Sequence, residues 1–573
     1  PPQHPWGLLF QRPIPAFVDS APTPYANAAE IPAIATGNDL VARLPHAAQL
    51  TALLDLTAPA GLTIDIRTDA YTGGGNGVDA NVRAEYVTRA GRQRWETPGW
   101  LFGNAVHYRI PAGVEIHALT WRATAYDCAA LPTLATDDPV LTAYLAKAQR
   151  TLLVNMRDSW MDCPDRERAQ WWGDVVVDMG QAFWLLDRRA DLLTRKAISD
   201  LVRWQRADGV LYSPVPDGRW GLELPQQMLA AVGRYGLAAW WLHTGDLEPL
   251  RAAWPAIQRY LALWRLDNGL VVHRGGDWDW PDWGEEADRD LIDQGWYGLA
   301  MDGAATIADA LGHSTDAVAY RARRDRVAAA VGYSCWAGDH YRSESHRAGA
   351  DDRAHALLVI GGMIPPAREA AVARVLETRH QSSPYMEKFA IEALFRLGRP
   401  RQALARLRRR FAPMLDDPGT TLWEFWSPVP SGTRNHAWAG GAAIALYEDL
   451  AGVAPTAPGW RRFRVMPQPG DQRRLALSVP TAAGTVAMDY RRTDTGGTLT
   501  VTVPAGSAAD VGVPCADAIP DLIRLGHDGP ILSRGNGDPP AETPPLTGPR
   551  LLGRDQRHIS FAVPPGTWTL AWT

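Results

Sequence analysis

Between positions 162 and 174 the chain places four carboxylates, two arginines and two tryptophans: Asp162, Asp165, Arg166, Glu167, Arg168, Trp171, Trp172 and Asp174. A further acid, Glu424, stands in Thr420-Thr421-Leu422-Trp423-Glu424-Phe425-Trp426. A third stretch, 277–286, holds five carboxylates, Asp277 and Asp279 among them, with Trp278, Trp280 and Trp283. Acids beside indoles suit a sugar, whose C–H face stacks on a ring while its hydroxyls bond to carboxylates and arginine. Two carboxyls are also what cleavage of a glycosidic bond needs. One, protonated, serves the leaving oxygen; the other, ionised, holds a water or the anomeric carbon. Glu167 and Glu424 are the candidate pair, and Trp171 and Trp172 would desolvate Glu167 as a proton donor requires.

Plainer roles compete at each position. Asp174 can cap a helix opening at Val175, and Arg166 or Arg168 can pair with Asp162 or Asp165. Glu285 and Glu286 fit a solvated loop, whereas Asp277 and Asp279 fit one poorly. Glu223 and Glu387 precede or open helices, where capping or dipole roles compete with chemistry. His436 sits at a helix start, open to a sugar contact or a simple N-terminal role.

The motifs resemble those of the bacterial α-L-rhamnosidases of glycoside hydrolase family 78, whose signature runs approximately D-C-P-Q-R-D-E-R-L-G-W-T-G-D. This chain has Asp162-Cys163-Pro164, Arg166-Glu167-Arg168, Trp171, Gly173 and Asp174, with one residue fewer between Pro and Glu. Gly276-Asp277-Trp278 looks like the family's G-D-W, and Thr421 to Trp426 like its T-x-W-E-x-W. Gly432 to His436 matches a region with a sugar-binding His. The resemblance implies Glu167 as general acid and Glu424 as general base of an inverting hydrolase. It implies Asp162, Arg166, Trp171, Asp174 and His436 as contacts to a terminal L-rhamnose or similar deoxysugar. Trp423 joins that set, and Asp277, Trp278, Asp279, Trp280 and Trp283 would enlarge or alter the subsite.

The elements that must position these residues separate by period. Residues 1–137 read as β structure, with alternation over 105–110 and 114–126 and a hairpin turn at Ala90-Gly91. The region from 456 to 573 reads likewise, with strands at 485–490 and 498–503 and a terminal strand at 567–573. Between them, 138–455 carries twelve helical segments, including 138–156, 174–187, 224–244, 385–397, 399–414 and 435–450. Twelve helices in six hairpins predict an (α/α)6 barrel flanked by N- and C-terminal antiparallel β-sandwiches. Long loops break the rhythm at 157–173, 207–223, 266–290, 333–351 and 415–434, and loops this long are usually functional. Of 25 Trp, 18 fall between 140 and 450, many near these loops. Trp184, Trp204, Trp254 and Trp264 are assigned to the core.

Composition narrows the rest. The formal charge of −5 is too small to steer nucleic acid or an anionic membrane. No apolar run reaches the roughly 18–20 residues of a membrane span. Cys128, Cys163, Cys335 and Cys515 lie far apart, so neither a disulfide framework nor a zinc site is expected, and no cofactor or metal is called for. Gly73-Gly74-Gly75-Asn76-Gly77 opens no helix and reads as a turn; Arg406 to Arg410 reads as the wet face of a helix. The opening Pro1-Pro2-Gln3 lacks an initiator Met, which suggests processing. A removed leader would make the protein periplasmic or secreted; otherwise it is cytoplasmic. The expected partner is a carbohydrate, and the sequence leaves the oligomeric state open. Other readings compete: a related (α/α)6 enzyme acting on a different terminal sugar, a polysaccharide lyase using Tyr or His, and a binding protein that has lost its acid.

Overall fold

A computed structural model describes residues 11–71, 82–216, 221–284, 286–429, 432–516, 518–535, 538 and 548–573. The glycine turn expected at 73–77 and the loop residue Glu285 lie outside them.

The N-terminal region is built around one strand, Asp39–Ala58, on which Leu50, Ala52, Leu54 and Leu56 alternate into the core. It pairs with Leu101–Arg109, Glu115–Ala125 and Gly91–Glu96, in a sheet of eight strands. The hairpin expected at Ala90-Gly91 does not form. Ala84–Val87 pairs with Thr63–Thr68, while Gly91–Glu96 pairs with the long strand. At the turn itself, Gln93 accepts a hydrogen bond from the Arg89 N–H and donates to the Arg89 and Gly91 carbonyls, using groups a hairpin ladder would need.

The central region contains twelve α-helices of eight or more residues among those described. They are α1 (Pro139–Val154), α2 (Trp172–Leu185), α3 (Ala190–Arg203), α4 (Pro225–Val232), α5 (Leu237–Thr244) and α6 (Glu248–Ala262). Then come α7 (Arg289–Leu311), α8 (Ser314–Ser334), α9 (Asp352–Ile360), α10 (Glu369–Thr378), α11 (Pro384–Arg396) and α12 (Pro400–Asp416). Helices α2, α4, α9 and α11 are buried nearly all round, and α7 is buried over most of its length; α3, α6, α8, α10 and α12 bury one face. The buried helices touch in succession, α2 to α4, α7, α9 and α11. The turns of 437–450 then meet both α11 and α2, which closes a ring.

Two of the predicted segments are broken. The segment 224–244 divides at Gly233–Gly236 because α7 comes so near that a Cβ on Gly303 would stand 2.3 Å from the Gly233 carbonyl carbon. The segment 435–450 is a succession of 3₁₀, α and π turns.

Two further expectations are corrected. Trp204, read as core, is 39% exposed where α3 ends. Arg406, read as solvated, is buried. It donates to Glu387 and Asp352 and to the carbonyls of Leu376 and Arg379. Residue charge alone signals a wet surface, but paired buried acids reverse that inference.

The C-terminal region holds a five-stranded and a seven-stranded sheet. Gly484–Arg492 and Gly497–Val503 pair as expected. Ala135–Thr136 joins the seven-stranded sheet from the other end of the chain, and one hydrophobic core runs from the helices into both sheets.

Arg406→Ala leaves Glu387 and Asp352 buried without their cation. It should destabilise the protein by about 3–5 kcal/mol, read as a lower urea midpoint.

Candidate active site

The site lies where the buried ring of helices begins. Trp171 precedes α2, Glu223 lies two residues before α4, Asp288 and Asp351 cap α7 and α9, Ser383 caps α11, and His436 precedes the turn at 437–440. Helix N-termini carry the positive ends of their dipoles, which favours acids beside them.

The loop carrying Glu167 is closed by Asp162. Its N–H donates to the Ala169 carbonyl while its Oδ1 accepts the Ala169 N–H at 2.9 Å. Arg168, at φ 54°, makes the turn back, and its Nε–H donates to the Pro164 carbonyl at 2.9 Å. A non-glycine residue in that region costs roughly 1–2 kcal/mol, offset here by the bonds across the loop.

The loop carrying Glu424 is a short ladder. The Glu424 N–H donates to the Thr433 carbonyl, the Thr433 N–H donates to Glu424 Oε2 at 3.0 Å, and the His436 N–H donates to the Leu422 carbonyl. The two loops are then joined: Thr433 Oγ1 donates to Asp165 Oδ1 at 2.6 Å. Asp165 is absent from the sequence-derived site. The only signal for it was its place in the acid-rich run.

Arg166 ends between the two glutamates, with Nη2 3.4 Å from Glu167 Oε1 and 3.3 Å from Glu424 Oε2. The Trp171 indole N–H donates to Glu167 Oε2 at 2.7 Å. Trp172, expected to share that role, is fully buried in the core. Asp174 does not cap α2; it lies in the first turn, 2.8 Å from His436 Nε2. Arg166 and Arg168 leave Asp162 and Asp165 to other donors. Burial, reinforced by Glu167, pushes the carboxyls of Asp162 and Asp174 well above the usual carboxylate range. Burial also lowers His436 to about 4.

The 277–286 loop supplies an aromatic wall. Trp278 is 37% exposed and meets Trp171, Trp280 and Trp283, with ring centroids 6.0–6.4 Å apart. Trp280 stacks on Trp438, which lies against His436. The loop's acids act largely as ties. Asp277 pairs with Arg206 and accepts the Glu223 N–H, and Asp282 accepts from Ser383 at the start of α11. Asp279 meets His273 and Arg289 through one oxygen. Glu286 is exposed. Glu223 grips Arg274 with both oxygens, and Glu387 grips Arg406; neither is a cap. Trp423 is buried, near the sulfur of Met414 and under Arg434.

Residues 130–450 match the family model of the bacterial α-L-rhamnosidase six-hairpin glycosidase domain. The chain belongs to this family, the glycoside hydrolase family 78 rhamnosidases. Residues 452–518 match the rhamnosidase C-terminal domain. An α-L-rhamnosidase of Streptomyces avermitilis is 28% identical over 393 residues, covering 64% of this chain and 37% of that protein. Among solved structures, a rhamnosidase from Dictyoglumus thermophilum superposes with TM-score 0.80 at 17% identity, over 97% of this chain and 64% of that one. The Streptomyces avermitilis rhamnosidase complexed with L-rhamnose gives 0.78 at 20%, over 97% and 53%. The chain thus spans less than half the length of the curated relatives it matches. The span matched by the rhamnosidase domain model includes both glutamate loops.

With its pKa lowered to about 4, the His436 ring stays neutral from pH 8 down to 5, whereas an unfolded histidine charges near 6.5. Its contribution to stability is therefore full above about 6.5 and is lost as pH falls toward 4. Imidazole ¹⁵N shifts that remain constant for His436 over pH 5–8 would verify this; a midpoint near 6.5 would contradict it.

Proposed function

We propose that this chain is an inverting glycoside hydrolase that removes terminal α-L-rhamnose from oligosaccharides, polysaccharides or glycosides. We read its ring of helices as an (α/α)6 barrel between β-sandwiches. One observation carries the reading: Glu167 and Glu424, from separate loops, meet at the Arg166 guanidinium. Glu167, 17% exposed and fixed by the Trp171 N–H, is the general acid for the leaving oxygen. Glu424, 3% exposed and held by the Thr433 N–H, is the base that takes a proton from the attacking water. Inversion requires about 6.5–9.5 Å between the carboxyls, room for that water. The inverting outcome is inferred from the family resemblance.

Asp162 and Asp174, whose protonated forms burial favours, bind sugar hydroxyls, and His436 Nδ1 has no hydrogen-bond partner among the described residues. L-rhamnose is a 6-deoxysugar, and its methyl group suits the Trp171–Trp278 wall. The relative solved with L-rhamnose supports the choice of sugar. Elimination through a tyrosine fits less well. Tyr385, against Trp280 and Trp438, is held far above its ordinary pKa by burial and cannot serve as a base near neutrality.

A panel of nitrophenyl glycosides should release chromophore from the α-L-rhamnoside; products absorbing as unsaturated uronides would point to a lyase instead. Glu424→Gln should lower kcat on that substrate by about 10²–10⁴-fold, and Glu167→Gln should do so on an alkyl α-L-rhamnoside, whose leaving oxygen needs a proton, each variant being judged on the substrate named for it. Glu424→Gln should still bind L-rhamnose, measured by calorimetry. Near-wild-type turnover in either variant would overturn the assignment. Azide should convert the α-rhamnoside to a β-configured glycosyl azide in Glu424→Gln.

A further inference from the structure

The mechanism assigns nothing to the N-terminal sheet, yet that sheet reaches both glutamate loops. Gln49 donates to the carbonyls of Val154 and Met156 at the end of α1, and the Ala47 N–H donates to Thr420 Oγ1, four residues before Glu424. Ala47, Phe102 and Val154 form a small core of their own across this junction, with Trp100 packed against it.

Trp100 is the singular feature. The Arg168 guanidinium carbon lies 3.4 Å from the centre of its ring, and that of Arg157 lies 4.7 Å away. Burial lowers both arginines to about 10, so the π-face supplies part of what water would otherwise give them. Arg168 is no ordinary surface cation. It follows Glu167 directly, holds φ 54°, and ties the turn to the Pro164 carbonyl through its Nε–H. A guanidinium clamped at one end by an indole and at the other by a carbonyl fixes the backbone from which Glu167 projects.

We propose that Trp100 is a positioning residue for the proton-donating Glu167, acting through Arg168, so that the N-terminal sheet is part of the catalytic apparatus. This rests on the reading of Glu167 as general acid.

The test compares two rhamnosides. A 2,4-dinitrophenolate departs without a proton, whereas a methoxide cannot. Trp100→Ala should lower kcat on methyl α-L-rhamnoside by about 100-fold, with KM little changed. On the 2,4-dinitrophenyl α-L-rhamnoside the loss should stay within about threefold. Trp100→Phe, which keeps an aromatic face, should restore most of the activity on the methyl glycoside. Arg168→Met should give the same split, and it carries the test if Trp100→Ala does not fold by circular dichroism. Equal losses on both substrates, or wild-type rates on the methyl glycoside, would overturn the proposal. Glu167→Gln is run alongside. If it loses both substrates equally, the acid assignment itself falls; if it shows the split while the Trp100 and Arg168 variants do not, only the positioning role does.

Discussion

One guanidinium, that of Arg166, holds the centre of this molecule together. Two glutamates from loops remote in sequence meet in one largely buried place, and the cation between them offsets part of the cost of burying them there. Burial pushes the carboxyls of Asp162 and Asp174 beside them toward the neutral form. The same low-dielectric setting strengthens the hydrogen bonds from Trp171 to Glu167 and from Thr433 to Glu424. Each carboxyl is thereby aimed.

The loops that carry these groups are long, and long loops are ordinarily adaptable. Here they are knotted to one another and to the helix starts. Asp165 joins the Glu167 loop to the Glu424 loop through Thr433, Asp277 joins the tryptophan loop to the backbone before α4, and Asp282 joins it to the start of α11. Much of the acid that marks the sequence as chemically active therefore serves to fix loop backbone, and only a few members face the site. The aromatic wall depends on these ties, since Trp278, Trp280 and Trp283 flank the tied acids.

How much of this could be read from the chain differs by the range of the interaction. Helix periods, the paired strands at 484–492 and 497–503, and the loops between them are local, and these were readable within a residue or a few. The hairpin at Ala90-Gly91 failed because strand pairing is decided by which edge is free, here the long strand Asp39–Ala58. Arg406 failed similarly: its acids come from α9 and α11, and no local pattern marks an arginine as having two buried partners. Trp204 looked like core from its type alone, and the helix end left it at the surface.

The sequence marks the candidate residues for chemistry, the Asp162–Asp174 run, the Trp423-Glu424 segment and the tryptophan-rich loop, since residue type and neighbours are properties of the chain. It also determined the order of β, helical and β regions, because the periods of 2 and 3.6 are written locally. Only the tertiary structure decided that Arg166 serves both glutamates, that Asp174 answers His436 and does not cap its helix, and that Asp165 clasps the two loops. Those choices depend on distances between segments far apart in sequence and on the loss of water around them. Closure of the helical ring sets both at once.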